Sequence, residues 1–513
     1  MLKDFFKEYL YYLVVLFSIC LSPYFVFYNY NFGQITFNST LQPLALLLAI
    51  FCISLAGLFL IVKIIPRLDR FFFISAIVLI SMTLNFDFFH KGLIWENIAP
   101  HLSFISPKMI FFLMIPLFIL LLMLFLKIKF IKTFFFFFCL FLLITPGTQI
   151  FLKFLGNNQN DIQFSKIDSN KSAPMQLTDN LNENVYYILL DGYASKKTFS
   201  RMSNDNQYFY DFLDANNFKM LGDKASYNAT YLSLTSLFLM DYPLLEGDKP
   251  LEHGPSFFPF MLNRIKAPPL IEKLKLLNYD FIFYGNAWSN CNPRHVKCGQ
   301  VSNDFTFPKW ITYQSFTLFS KTAFGGLIKY NFDYDAMGSF IDAHKNKIAQ
   351  RNSEFYFIHQ LSPHPPYLSE DCKTIKAQTI DTYDPPEDYI TTVNCVNKQI
   401  MDLISILNQE DPTAFIVIQS DHGPDTNMGW LSDKTLDESV HLDNKLSIIN
   451  VMKSPQKCNK WLKDNIGPVN TTIFILACID QSKPSYVDDK SFIGLYPHDE
   501  NFNGRVQEYI NIN

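Results

Sequence analysis

Five apolar runs, each close to the length of a membrane-spanning helix, occupy the first third of the 513-residue chain. They cover roughly residues 9–29, 41–65, 71–89, 109–126 and 133–152. A helix needs about 20 apolar residues to cross a bilayer, and a single signal peptide cannot account for five such runs. The pattern therefore predicts a membrane domain of five spans over residues 1–155.

Basic residues around these runs predict the orientation of the membrane domain. They cluster before the first run, after the second and between the fourth and fifth, as Lys3, Lys7, Lys63, Arg67, Arg70, Lys127, Lys129 and Lys132. Because basic loops are retained in the cytoplasm, the N-terminus is expected there and everything after the fifth span outside. Lys91 and Lys108, in a segment that this topology places outside, argue mildly against it.

Six of the nine cysteines lie in the downstream part of the chain, where an oxidising compartment would pair them. The simplest pairing is sequential, Cys291 with Cys298, Cys372 with Cys395 and Cys458 with Cys478, although six cysteines permit about 15 connectivities. The alternative, six free thiols in a reducing compartment, would require the opposite orientation.

Residues 156–184 are polar and lack periodicity, so they are predicted to be a linker to an outer domain over residues 185–513. Short branched and aromatic runs predict buried strands at 185–190, 280–285, 355–359, 414–420 and 446–451. Helical periodicity appears between them, at 268–277 and 389–408. Alternating strands and helices indicate an α/β domain with a largely parallel central sheet.

Acidic and imidazole side chains follow two of these strands. Asp191 ends the first, and the stretch AFIVIQSDHG ends in Asp421, His422 and Gly423. Ligands gather at the carboxyl ends of parallel strands, and a mixed carboxylate and imidazole set suits zinc or manganese. Taken singly, each acid could instead cap a turn or a helix.

Hydroxyl and histidine side chains supply the remaining candidates. Thr230 stands where a helix is predicted to begin, so its hydroxyl could act as a nucleophile or merely as an N-cap. His364, in the proline-rich loop SPHPPY, is a candidate to contact the substrate or protonate a leaving group. Ser233, His359 and Arg294 are predicted as weaker substrate contacts, with structural or solvated roles as the alternatives.

The order of these motifs resembles the alkaline phosphatase/sulfatase superfamily. The likeness is carried, over most of residues 185–490, by the stretches VYYILLDGYASKKTF, DNQYFYDFLDANNF, YNATYLSLTSLFLMDY, SPHPPY and GPVNTTIFIL, together with Asp421-His422-Gly423. It is greatest to membrane-anchored sulfatase-like transferases such as lipoteichoic acid synthases and lipid A phosphoethanolamine transferases, which join five spans to an outer catalytic domain. The resemblance implies a bacterial inner (plasma) membrane protein with its catalytic domain on the periplasmic or extracellular side.

The resemblance also implies roles for individual residues. Thr230 matches the nucleophile, His364 matches a histidine that contacts the phosphoryl group, and one divalent ion would be held by Asp191, Thr230, Asp421 and His422. Those transferases carry Glu where this chain has Asp191, and the sequence after Asp-His-Gly follows neither of them. Sulfatases need a Cys or Ser that is oxidised to formylglycine, and a threonine cannot yield that aldehyde. Phosphoryl chemistry is therefore expected.

Three functions follow as hypotheses. The first is a transferase that moves a phosphate-linked substituent from a membrane lipid donor to a lipid or glycan acceptor. The second is a phosphodiesterase or phosphatase that uses water, and the third is an inactive sulfatase-like scaffold. A net charge of −4 argues against a general nucleic-acid binder.

Overall fold

The computed structural model describes residues 2–510 of the chain, apart from several gaps. The gaps are 31–39, 87–106, 157–180, 205, 249–256, 259, 264–266, 286–294, 300–314, 316–317, 320–321, 323–334, 345–347, 349–350, 376–385, 426–438 and 494–504. The chain divides into two compact units. One comprises Met1–Asn160 and Phe305–Tyr330, and the other Asp161–Asp304 and Asn331–Asn513.

The first unit contains five helices, which form where the sequence has its apolar runs. They are α1 (Leu2–Tyr30), α2 (Leu41–Ile64), α3 (Asp69–Leu84), α4 (Pro107–Phe125) and α5 (Lys129–Gly156). Within the described residues, three stretches are long and apolar enough to cross a membrane: Tyr9–Asn29, Leu41–Ile64 and Lys129–Leu152. A shorter apolar stretch covers Phe112–Phe125, and α3 has 16 residues. Three candidate spans thus support membrane anchoring, and the count of five stays a prediction.

A short later segment also belongs to this unit. The hydroxyl of Ser315 donates to Oε1 of Gln42 in α2 at 2.8 Å. Leu318 and Phe319 are buried in the same apolar cluster as Leu21 and Tyr24 of α1. No periodicity in the sequence points to this packing, which joins residues almost 300 positions apart.

The second unit alternates strands and helices, as expected. Its elements are β1 (Val185–Asp191), α6 (Lys196–Arg201), α7 (Gln207–Ala215), β2 (Lys219–Met220), α8 (Thr230–Leu239), α9 (Pro269–Leu276), β3 (Asp280–Tyr284), β4 (Lys297–Cys298), α10 (Ala336–His344), β5 (Glu354–Pro363), α11 (Pro386–Glu410), β6 (Phe415–Ser420), α12 (Ser439–Leu446), β7 (Asn450–Lys453), α13 (Pro468–Ile479), β8 (Phe492–Ile493) and β9 (Gln507–Glu508).

Seven strands form the central sheet, in the order β2-β7-β6-β1-β5-β3-β4. Strands β6, β1, β5, β3 and β4 pair in parallel, and β7 is antiparallel to both β6 and β2. The largely parallel sheet is thus confirmed. The run predicted as a strand at 446–451 differs, because Leu446 ends α12 and the ladder begins only at Asn450.

Alternate residues of the central strands face two separate cores. In β1, Tyr187 and Leu189 point into one core with helices α8, α9 and α13, and Tyr186 and Ile188 point into the other with α7, α10 and α11. Because both faces are covered by helices, the strands are apolar throughout, which is typical of parallel sheets. Only their carboxyl ends are left to carry polar side chains.

Disulfides tie two loops of this unit to neighbouring helices. Cys372 is bonded to Cys395 in α11, and Cys458 is bonded to Cys478 in α13, as the sequential pairing predicts. Cys298 is also disulfide-bonded, and its predicted partner Cys291 lies outside the described residues.

Replacing both Cys372 and Cys395 with serine is expected to destabilise the outer domain by about 3 kcal/mol, since the bond closes a loop of 23 residues and restricts the unfolded chain. Denaturant unfolding of the detergent-solubilised full-length chain, followed by tryptophan fluorescence, measures the loss. Cys52→Ser, which removes an exposed free thiol of α2, is the control and should leave the midpoint unchanged. An unchanged midpoint in the double variant would contradict the prediction.

Candidate metal centre

The parallel register of three adjacent strands aligns the candidate ligands. Leu189 of β1 lies opposite both His359 of β5 and Gln419 of β6. Side chains alternate along a strand, so Asp191, His359 and Asp421 follow the face that packs against α8. That helix begins with Thr230. The strands therefore deliver two acids and a histidine to the face on which the candidate nucleophile lies.

Asp421 is held rigidly by backbone donors. Its Oδ1 accepts hydrogen bonds from the N–H groups of Gly192, at 3.0 Å, and His422, at 2.8 Å. The preceding Ser420 donates to the Leu190 carbonyl at 2.9 Å and accepts from the Tyr193 N–H at 2.8 Å. The ends of β1 and β6 are joined at this point, and Oδ2 of Asp421 is left buried without a hydrogen-bond partner.

His422 presents one defined nitrogen to the centre. Its Nδ1 lies 2.8 Å from the Gly423 carbonyl, an acceptor, so Nδ1 carries the proton and Nε2 carries the lone pair. Nε2 lies 3.5 Å from Oδ2 of Asp421 and 3.7 Å from Oδ1 of Asp191. Burial lowers the pKa of His422 despite the nearby Asp421 carboxylate, which favours the neutral ring that a metal requires.

Gly423 is required here for close packing. A Cβ at this position would lie 1.9 Å from the carbonyl oxygen of Asn444. The N–H of Gly423 donates to the Lys445 carbonyl at 2.7 Å, which fixes the end of α12 against the loop that follows β6. The glycine therefore serves mainly to let α12 approach, in addition to the turn that the sequence predicts.

Thr230 is the first residue of α8, as predicted, and its Oγ1 lies 3.0 Å from Nε2 of His422. The helix dipole favours negative charge at this position. Ser233, one turn further on, is buried and donates to the Tyr227 carbonyl at 2.8 Å, a bond that shapes the loop before Thr230. Its assignment as a substrate contact stays a prediction.

Buried oxygen atoms without partners indicate that a cation fits this site. Oδ1 of Asp191 and Oδ2 of Asp421 both lack hydrogen bonds. Ligand atoms of Asp191, Asp421 and His422 lie within 4.8 Å of one another. Burial, together with the charge of Asp421, raises the pKa of Asp191 well above its usual value. A divalent cation would relieve both the repulsion and the missing bonds.

A pocket lies beside this centre. It is lined by His422, His364, Lys445 and Asp425, with Gly192, Tyr367, Tyr389 and three prolines. The N–H of His364 donates to the Asp191 carbonyl at 3.0 Å, which anchors the proline-rich loop to β1. Lys445 and Asp425 form an ion pair at 2.5 Å. An anionic group that entered the pocket would meet a histidine and a lysine, and it would compete with Asp425 for that lysine.

The hydrogen bonding of His364 determines which of its ring nitrogens carries the proton. Its Nδ1 lies 2.8 Å from the Pro365 carbonyl, so the neutral ring has its lone pair on Nε2. Burial lowers the pKa of His364 to about 4. At neutral pH the ring is therefore uncharged and presents a lone pair on Nε2, and its predicted contact with a phosphoryl or leaving group stays a prediction.

Asp443 links three segments around the centre. This buried carboxylate of α12 accepts hydrogen bonds from Arg201 of α6, at 2.8 Å, and from Lys224, six residues before Thr230. Tyr509, near the C-terminus, also donates to it at 3.1 Å. Burial would raise the pKa of Asp443, but these two cations hold it far below its usual range.

Local sequence patterns predict the residues at the strand ends, but not those that long-range packing brings to the centre. The structure places Asp191, Thr230, Asp421 and His422 together, with His364 in the adjoining pocket, and Arg294 lies outside the described residues. Lys445, Asp425 and Asp443 follow no motif or spacing that singles them out.

At the edge of a largely parallel sheet, Asp191, Asp421 and His422 thus form a group that could hold a metal ion beside the hydroxyl of Thr230, which begins a helix. The Sulfatase family profile matches residues 184–442, about half of the chain, and the chain belongs to the sulfatase family. The resemblance to the alkaline phosphatase/sulfatase superfamily is thus confirmed. No curated protein matches the sequence.

Solved structures resemble the chain in fold. One is the C-terminal periplasmic domain of EcEptC from Escherichia coli, at 12% identity and a TM-score of 0.40. That match covers 65% of this chain and 94% of the other. Another is the phosphonate monoester hydrolase of Agrobacterium radiobacter, at 11% identity, a TM-score of 0.36, and coverage of 61% and 80%.

The chain, purified with zinc or manganese, is expected to hold about one equivalent of metal and to lose it in Asp421→Ala, because that variant removes a buried ligand oxygen. Inductively coupled plasma mass spectrometry measures the content. Asp411→Asn is the matched control, since Asp411 is also buried but lies before β6, bonded to Asn184 and Tyr186. Equal metal content in wild type and Asp421→Ala would contradict the assignment.

Asp443→Asn is expected to lower stability by about 2 kcal/mol at pH 7, because charged hydrogen bonds are lost. The pKa of Asp443 is lower in the folded chain, so its contribution is present above the unfolded pKa of about 4 and is lost as the pH falls below it. Thermal unfolding from pH 7 to pH 2 should show a steady difference between wild type and variant down to about pH 4 and a narrowing difference below it. A constant difference across that range would contradict this account.

Proposed function

We propose that the chain is a metal-dependent phosphoryl-substituent transferase of the bacterial cell envelope with Thr230 as its nucleophile. The observation that carries the proposal is the position of Thr230 Oγ1, at the start of α8 and 3.0 Å from Nε2 of His422. The two unpartnered carboxylate oxygens of Asp191 and Asp421 lie beside that nitrogen. The hydroxyl of Thr230 is therefore held in a fixed position at the start of a helix, next to the atoms that would hold a cation.

Threonine chemistry favours phosphoryl over sulfuryl transfer. The family's sulfatases depend on a formylglycine, which a secondary alcohol such as Thr230 cannot form. An oxygen nucleophile that is activated at a metal centre is instead suited to in-line attack on phosphorus. The pocket beside it, with Lys445 and His364, suits the anionic group that such a reaction needs to hold.

The reaction runs in two displacements at Thr230. In the first, the threonine oxygen bonds to the phosphorus of a phosphodiester, the ester bond to the donor lipid breaks, and the threonine proton ends on the departing lipid oxygen. In the second, an acceptor hydroxyl attacks the phosphothreonine, the bond between phosphorus and the Thr230 oxygen breaks, and the acceptor proton, relayed by Nε2 of His364, ends on that oxygen and restores the threonine hydroxyl. A divalent cation held by Asp191, Asp421, His422 and Thr230 would stabilise charge on the phosphoryl oxygens.

Membrane placement is part of the proposal. The three candidate spans support anchoring, and we propose that all five apolar helices cross the inner (plasma) membrane, with residues 156–184 linking them to a periplasmic or extracellular catalytic domain. Anchoring favours a donor that is itself a membrane lipid, and a lipid or glycan of the envelope as the acceptor. Cysteine pairs in the outer unit agree with an oxidising compartment.

Incubation of the full-length chain with phospholipid vesicles is expected to leave a phosphate-linked adduct on Thr230, detected by peptide mass spectrometry. The mass of the adduct identifies the transferred group. Thr230→Ser should still form an adduct, because it keeps the hydroxyl, and Thr230→Ala should form none.

Two results would contradict this mechanism. One is lipid turnover by Thr230→Ala at the wild-type rate. The other is an adduct on a different residue in the wild type. Release of free phosphate ester in the absence of an acceptor would show that water serves instead, which would make the protein a hydrolase.

A further inference from the structure

His359 is an unusual buried histidine. It lies on β5, its side chain has no exposed surface, and neither ring nitrogen has a hydrogen-bond partner among the described residues. The nearest aromatic neighbour is Phe258, whose ring centroid lies 6.0 Å from that of the imidazole. Burying an imidazole without a hydrogen bond costs about 1–3 kcal/mol, so a compensating interaction is expected in the working protein.

Two carboxylates act on His359, those of Asp191 and Asp421, and the ion-pair contact is with Asp191. Nε2 of His359 lies 3.9 Å from Oδ2 of Asp191, while Oδ1 of the same carboxylate lies 3.7 Å from Nε2 of His422. The two oxygens of Asp191 therefore point in different directions, one towards His422 and the candidate metal centre and the other towards β5. His359 is not among the residues that line the pocket.

We propose that His359 is a positioning residue of the metal centre, whose Nε2–H donates to Oδ2 of Asp191 and so holds Oδ1 towards the cation. The inference deepens the proposed function and rests on the metal centre that it assumes. Hydrogen bonds to the non-ligating atoms of metal ligands orient those ligands and strengthen metal binding. It replaces the predicted role of His359 as a substrate contact.

The geometry is close to the arrangement that this role requires. Contraction by about 1 Å brings the pair to hydrogen-bond distance. A bound cation would offset the repulsion between Asp191 and Asp421, which leaves the Asp191 carboxylate free to adjust its orientation towards His359. His359 is mounted on a central strand, between β1 and β3, so the donor itself stays fixed while the carboxylate adjusts.

The test compares the zinc affinity of full-length variants in detergent by competition with a chromophoric chelator. His359→Phe keeps the ring volume and removes the donor, and it is expected to bind zinc about 10- to 100-fold more weakly. His359→Gln retains an N–H near the position of Nε2 and should recover most of that loss. His344→Phe is the matched control, because His344 packs against Phe340 and Tyr356 in the other core.

Thermal unfolding in the presence of a chelator establishes that each variant folds, and His359→Leu replaces His359→Phe if the phenylalanine is not accommodated. Unchanged zinc affinity in the variants without a donor, with loss in Asp421→Ala, would overturn the role of His359 and leave the proposed function standing. Equal weakening in the Phe and Gln variants would also overturn it, because an N–H donor at this position would then fail to restore the affinity. Normal zinc binding without any Thr230 adduct would instead count against the proposed function alone.

Discussion

The parallel register of β1 between β5 and β6 is the constraint on which the rest of the outer domain depends. It sets Leu189 opposite both His359 and Gln419, so that side chains two residues further along β1 and β6 emerge at the same edge of the sheet. A slip of one residue would turn Asp191 or Asp421 into the opposite core, among apolar side chains. The centre is therefore specified by the same ladder that buries the strands.

Electrostatics then determines what this edge can hold. Two carboxylates and an imidazole are buried together, and the described residues place no lysine or arginine ion pair on Asp191 or Asp421. Backbone donors satisfy Oδ1 of Asp421, whereas Oδ2 of Asp421 and Oδ1 of Asp191 have no hydrogen-bond partner among the described residues. Burying two carboxylates together costs free energy unless a proton or a cation offsets their charge. The neutral imidazole of His422 is a metal ligand beside them, which favours a cation over protons.

Local patterns in the sequence predicted most of this architecture. The central strands are short apolar runs, which a local pattern predicts. The helical pattern that starts at Thr230 is local as well, so the position of this hydroxyl could also be predicted. Lys445 and Asp443 could not, since their roles depend on packing α12 against the ends of β1 and β6. The packing of Leu318 and Phe319 with α1 could not be predicted either, because it joins segments almost 300 residues apart and no sequence periodicity indicates it. Gly423 is a further example, because a Cβ at this position would collide with the carbonyl of Asn444, a contact that no local pattern shows.

The tautomer of His422 couples metal binding to the nucleophile. Because Nδ1 donates to the Gly423 carbonyl, Nε2 has one lone pair, which either accepts the Thr230 proton or coordinates a cation. A ring that coordinates a cation can no longer hold the threonine hydroxyl as a hydrogen-bond donor. Oγ1 of Thr230, 3.0 Å away, is then close enough to become a ligand itself, and a metal-bound hydroxyl loses its proton more readily. Under the proposed mechanism, the same nitrogen would accept the hydrogen bond of Thr230 when the site lacks a cation and would free the hydroxyl for attack when a cation is bound.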